Sequence, residues 1–173
     1  MAWKSWEEMK EHMYTDDELR PCVASALQDR ARYLGFMYRT LPKDVFETVA
    51  RKALFQHGYT KGPNIPGERG VPATLGDKLV YSTVIANSCD YNEYIVNDGE
   101  KCVVQFQGPC NLCEGWAKMG FSHEEIKYLC DVACSGDHGM AAALGLKVSF
   151  NSYYADGDGA NCEIVIEKAD EEK

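Results

Sequence analysis

No stretch of the chain carries the roughly 18 unbroken apolar residues that a membrane-spanning helix needs. The opening MAWKSWEEMKEHMYTDDELR has neither an apolar centre nor a small-residue cleavage site, so it does not read as a secretory signal. Basic residues are also in deficit. The 18 Lys and Arg face 27 Asp and Glu, for a net charge of −9, which argues against a nucleic-acid backbone or an anionic membrane as partner. No G-x-x-x-x-G-K-[ST] phosphate loop, G-x-S-x-G elbow, H-E-x-x-H pair or dinucleotide glycine fingerprint is present. The chemistry left open is that of thiols.

Cysteine is what the chain does have: eight, with no export signal beside them. That combination points to the cytoplasm, where thiols stay reduced. It favours thiol chemistry, metal ligation or buried packing over a disulfide framework. The length of 173 residues, with 45% hydrophobic and 26% charged, describes one soluble domain with a real core. We divide it into a helical extension over 1–20 and a core over 21–173.

In the extension, Trp3, Trp6, Met9 and Met13 recur at helical spacing, with His12 on the solvated side. A longer helix is expected from Pro21, with Pro42 stopping it. A third helix carries Asp44 in its first turn and an apolar stripe of Phe46, Val49, Ala50 and Leu54. Gly58 is expected to cap it, and His57, in the last turn, to answer the helix dipole. The Gly/Pro-rich run over 58–76 reads as loop, and 79–89 is ambiguous between strand and buried helix.

Two strands over 92–96 and 101–107 flank an Asn-Asp-Gly turn, a strong hairpin signal whose register stays open. Cys110 opens a short helix that Gly120 stops. Ser122 and Glu125 then form a capping box, with Phe121 and Ile126 as its staple. The helix that follows points Cys130 and Cys134 the same way. Gly136 should end it and Asp137 should cap another over 138–144. A last hairpin alternates Val148, Phe150, Ser152 and Tyr154, turns at DGDG, and returns through Cys162, Ile164 and Ile166. The layout predicts an α+β domain: N-terminal helices packed on an antiparallel sheet built from two hairpins.

Two kinds of site follow from the cysteines. Cys110, Cys113, Cys130 and Cys134 have the look of a four-thiolate site for zinc or an iron–sulfur cluster, although the second pair lies on a helix. Asp156 and Asp158 evoke a calcium loop, but Asn161 stands where the loop's glycine is required, so a tight turn is read there. The enzymatic option is a cysteine nucleophile, Cys134, with Asp137 and His138 just downstream to move protons. Set against both is ordinary packing, since free cysteines are commonly buried as small hydrophobes.

The C-terminal half resembles the L-2-amino-thiazoline-4-carboxylate hydrolase-like family. The residues that carry the resemblance are Cys110 after a strand, then Cys130-Asp-Val-Ala-Cys134-Ser-Gly-Asp137, then the glycines 157 and 159 leading into Cys162-Glu163. The segment 45–62 is similar to the family's first half more weakly. The chain departs from the pattern at Ile164 after Glu163, and at Ser152, Tyr153 and Tyr154, where the family has basic residues that would meet a carboxylate.

The resemblance implies a hydrolase that opens a small cyclic amidine- or thiazoline-like C–N substrate. Cys134, Asp137 and His138 would be catalytic, Cys110, Cys130 and Cys162 would contact substrate, and no cofactor would be needed. The family is also akin to ligand-binding domains of the vinyl-reductase and Golgi-transport type. That kinship keeps a non-catalytic small-ligand or metal sensor as the alternative, using zinc or an iron–sulfur cluster at Cys110, Cys113, Cys130 and Cys134. The expected partner is a small molecule, with no nucleic acid and no membrane. A homo-oligomer is left open.

Overall fold

The structure, a computed structural model, describes residues 16–61, 91–97, 101–157 and 161–169. The sequence readings of the extension before Asp16, of 62–90, of the Asp-Gly of the first hairpin turn and of Asp158-Gly159 lie outside those residues.

Helix α1 (Asp16–Thr40) runs through Pro21 instead of starting at it. Pro21 removes only one backbone donor and is exposed, so the turn around it persists. Pro42 separates α1 from α2 (Lys43–Lys61), as read from the sequence. Gly58 does not cap α2. It is buried inside the helix, which continues to Lys61, so His57 is exposed and stands before the final turn.

Strands β1 (Tyr91–Asn97) and β2 (Lys101–Gln107) pair antiparallel. Then come α3 (Asn111–Lys118), α4 (His123–Ala133), α5 (Ser135–Ala143), β3 (Leu146–Ser152), a 3₁₀ turn (Tyr154–Asp156) and β4 (Cys162–Lys168). The sheet is four-stranded and antiparallel in the order β1-β2-β4-β3. The α+β reading therefore holds. The return from β3 to β4 is broader than a tight turn, because the 3₁₀ turn lies within it.

Two cores hold these elements. In the first, Cys102, Val104 and Phe106 on β2 pack with Ile164 and Ile166 on β4 and with Met140 on α5. This settles the open register: the even-numbered residues of β2 face the helix. The second core gathers Phe46, Ala50, Trp116, Leu129 and Val132 from α2, α3 and α4. Trp116 is fully buried, and its Nε1 donates to the Ala31 carbonyl on α1 at 2.8 Å. Burying such a ring contributes about 1.5–3 kcal/mol or more, and the hydrogen bond removes the cost of an unmet donor.

The predicted capping box at the start of α4 is formed. Ser122 Oγ accepts from the Glu125 N–H at 3.3 Å, and Glu125 Oε2 accepts from the Ser122 N–H at 2.8 Å. The break between α4 and α5 comes at Cys134, two residues before the expected Gly136. Asp137 consequently lies in the first turn of α5 and does not cap it.

Candidate functional site

A cavity of about 150 Å³ opens along the seam between the two cores. A volume of that size takes a benzene-sized molecule. Leu27 and Leu54 wall one side, and Phe106, Met140, Phe150 and Ile164 wall the other. Cys110, Cys130, Cys134, Cys162 and Asp137 all line it as well.

Each of these polar groups arrives on a different piece of backbone. Cys110 is the N-cap residue of α3, and Cys162 opens β4. Cys130 lies in the last turn of α4, and Cys134, four residues on, sits at the joint with α5. Asp137 follows in the first turn of α5. The i,i+4 spacing read from the sequence brings Cys130 and Cys134 to the same side, as expected.

The thiols form a chain. Cys113, buried within α3, lies beside both Cys110 and Cys130 and shares its single S–H between them, while the Cys134 S–H faces Cys130. Cys130 therefore faces two S–H donors, one of them shared with Cys110. These hydrogen bonds hold its thiol below the ordinary cysteine range despite burial. Cys110 is lowered too, first through its hydrogen bond with Cys113. Cys113 and Cys134 are raised, because losing the proton would break the bond each makes. Cys162 is pushed up to about 12 by burial. Its sulfur accepts from the Tyr154 N–H at 3.2 Å.

Asp137 is raised to about 7, first by burial and then by the charge of Cys130, with Lys61 and Arg30 acting the other way. A carboxyl held there is half protonated near neutral pH, which suits a group that both gives and takes a proton. His138 lies elsewhere. Adjacent positions on a helix point about 100° apart. With Asp137 at the cavity, His138 instead meets the Phe150 ring edge-on, with centroids 5.9 Å apart, and is not among the lining residues. Of the three residues read as catalytic, Cys134 and Asp137 line the cavity and His138 does not, and the neighbouring S–H groups favour ionisation of Cys130 over Cys134.

Cys110, Cys113, Cys130 and Cys134 meet as hydrogen-bonded thiols. Among the described residues no three His, Cys, Asp or Glu side chains are grouped to hold a metal ion. No described helix is long and apolar enough to cross a membrane.

Three basic residues line the cavity: His57 on α2, which the sequence reading gave to the helix dipole, and Arg30 on α1 and Lys61 on α2, which it did not single out. A signal was present. Arg30 follows Leu27 by three, while His57, Gly58 and Lys61 follow Leu54 by three, four and seven. Helical phase thus places all of them on the faces that carry the cavity's leucines.

No curated protein matches the chain. Among solved structures it is similar to a trafficking protein particle complex subunit 3 from Naegleria fowleri, covalently bound to palmitic acid. The TM-score is 0.58 at 12% identity, covering 84% of this chain and 96% of that one. A likeness at that identity is one of fold. The family model described as L-2-amino-thiazoline-4-carboxylic acid hydrolase matches residues 6–165, from the extension into β4. With nearly its whole length matched, the chain belongs to the L-2-amino-thiazoline-4-carboxylic acid hydrolase family.

Proposed function

We propose that the cavity binds a small cyclic C–N substrate of the aminothiazoline type and opens its ring by hydrolysis. In this reading Cys130 is the nucleophile and Asp137 the proton carrier. The observation that supports it most is that Cys130 lines the cavity while accepting hydrogen bonds from Cys113 and Cys134, so a thiolate is available where a substrate would sit. The size of the cavity agrees: one small ring fits.

The bonds balance without a further reagent. Cys130 Sγ attacks the amidine carbon, Asp137 gives its proton to the ring nitrogen, and the ring sulfur leaves, which opens the ring. Water then attacks the same carbon while Asp137 takes a proton from it. The carbon–Cys130 bond then breaks, the remaining hydroxyl proton passing to the expelled ring sulfur, which gives an N-carbamoyl aminothiol and restores the Cys130 thiolate. The raised carboxyl of Asp137 suits both halves of this exchange.

The second reading is a non-catalytic binding domain, supported by the apolar walls and by the palmitic acid carried by the fold neighbour. A long acyl chain exceeds a cavity of about 150 Å³, so a compact ligand fits this reading better too.

The test is turnover of L-2-amino-thiazoline-4-carboxylate, followed by chromatography of the ring-opened product. Wild-type protein should form it, Cys130→Ser should reduce it to background, and Asp137→Asn should slow it by about 10²–10⁴-fold. Binding without turnover in the wild type would favour the second reading. Full turnover by Cys130→Ser would remove the nucleophile assignment.

A further inference from the structure

We propose that Arg30 and Lys61 form an anion subsite at the rim of the cavity, which holds a carboxylate on the substrate and turns the substrate's ring toward Cys130. The inference deepens the hydrolase reading by naming the residues that meet the substrate's acid group, and it rests on that reading only for the word substrate. A ligand-binding domain would use the same subsite.

The placement of charge carries the argument. The chain bears nine more acidic than basic side chains, yet among the described residues that line the cavity the basic ones are three, Arg30, His57 and Lys61, against the single carboxyl of Asp137. Two helices deliver them: Arg30 projects from α1, Lys61 from the end of α2. Several other cations of the described residues are occupied. Arg51 bonds Asp131 at 2.6 Å, Lys127 bonds Asp156 at 2.8 Å, and Lys118 donates to Gln28 at 2.8 Å. Arg30 and Lys61 have no hydrogen bond or ion pair with another described residue.

They also stand close enough to feel one another's charge. Partial burial and the charge of Arg30 both lower the Lys61 ammonium from its ordinary value. Keeping two like charges together at a half-buried rim is unfavourable until an anion enters between them. Asp137 raises Lys61 in return, but its own carboxyl, raised to about 7, is only half ionised near neutral pH and offsets part of the two cationic charges. A guanidinium beside an ammonium fits a planar carboxylate, with Arg30 able to bind both oxygens. Apart from His57, the other lining residues, Tyr154, Cys162 and Phe150 among them, carry no cation.

Two alkylating probes of nearly equal size, anionic iodoacetate and neutral iodoacetamide, test the subsite without requiring turnover. Their rates at the cavity thiols, read by mass spectrometry of the Cys130 and Cys110 peptides, are compared with their rates on N-acetylcysteine. In wild type the iodoacetate-to-iodoacetamide ratio should exceed that of N-acetylcysteine by about tenfold or more, and should fall as salt is added. Lys61→Met and Arg30→Leu should each bring the ratio close to that of the free thiol, and Lys61→Arg should keep it. Both positions are at least partly exposed helix sites, so these variants should fold, and unchanged circular dichroism would confirm it.

A ratio that stays high in both variants, or a wild-type cavity that iodoacetate does not enter, overturns the subsite. Loss of aminothiazoline turnover with the anion preference intact would instead count against the hydrolase reading alone.

Discussion

Gly58 and Gly136 meet backbone to backbone: a Cβ placed on Gly58 would stand 1.9 Å from the Gly136 carbonyl oxygen. One turn further along α5 the relation repeats in reverse, where a Cβ on Gly139 would stand 2.0 Å from the Phe55 carbonyl oxygen. Helices α2 and α5 thus cross at a separation that only glycine permits. Gly58 and Gly136 both line the cavity, so this crossing sets how far Lys61 and His57 stand from Asp137.

Gly58→Ala and Gly139→Ala should each destabilise the protein by about 1–3 kcal/mol or more, since rigid backbone would have to move to admit the methyl. Gly136→Ala should behave differently. Its Cβ would meet only the Leu54 carbonyl oxygen, at an ordinary 3.6 Å. Alanine in a helix gains about 0.5–1 kcal/mol over glycine. Denaturant midpoints of the three variants settle the matter, and equal losses at all three positions would refute the close-approach account.

That crossing also explains what the sequence could and could not convey. Ser122 and Glu125 announce the start of α4 because a cap is a local device, readable within four residues. The β1–β2 hairpin and the shared side of Cys130 and Cys134 are local in the same sense. Gly58 misled because a glycine near the end of a periodic stretch looks the same whether it caps the helix or lets a neighbour approach. The neighbour, α5, lies far along the chain. Asp137 and His138, neighbours on α5, point about 100° apart, so one reaches the cavity and the other does not. Arg30 and Lys61 belong to helices distant in sequence from the cysteines, and only the tertiary packing brings them to one rim.

Asp137 should leave a signature in the pH dependence of stability. Its carboxyl is raised from 3.8 to about 7 in the fold, chiefly by burial. The fold therefore favours the protonated form. The stability this lends is complete below the unfolded value and is lost as pH rises through about 7. Asp137→Asn keeps a neutral side chain of the same shape and has no such loss. The stability of the Asp137→Asn variant relative to wild type should then increase between pH 4 and pH 8 by on the order of 2–4 kcal/mol at most. The lowered Cys130 thiol pulls wild type and variant the opposite way, and because its charge also raises Asp137, taking the difference removes its share only in part. Unfolding free energies at several pH values decide, and a difference that is flat with pH would show that Asp137 titrates as an ordinary surface carboxylate.

The thiol chain makes a claim that can be separated from catalysis altogether. Cys113 and Cys134 are the donors that hold Cys130 below the ordinary cysteine range, and a hydrogen bond to a charged group contributes about 1.5–3 kcal/mol. Since about 1.4 kcal/mol corresponds to one pH unit, removing either donor should move the Cys130 ionisation upward by about one to two pH units. The measurement is the rate of iodoacetamide labelling at Cys130 against pH in Cys113→Ala, Cys134→Ala and wild-type protein. Cys162→Ala serves as the control: its sulfur takes the Tyr154 N–H at 3.2 Å and makes no hydrogen bond to Cys130, so its profile should follow wild type. Were both donor variants to keep the wild-type inflection, the low ionisation of Cys130 would have to come from somewhere other than its neighbouring thiols. The choice of Cys130 over Cys134 as nucleophile would then lose its physical ground.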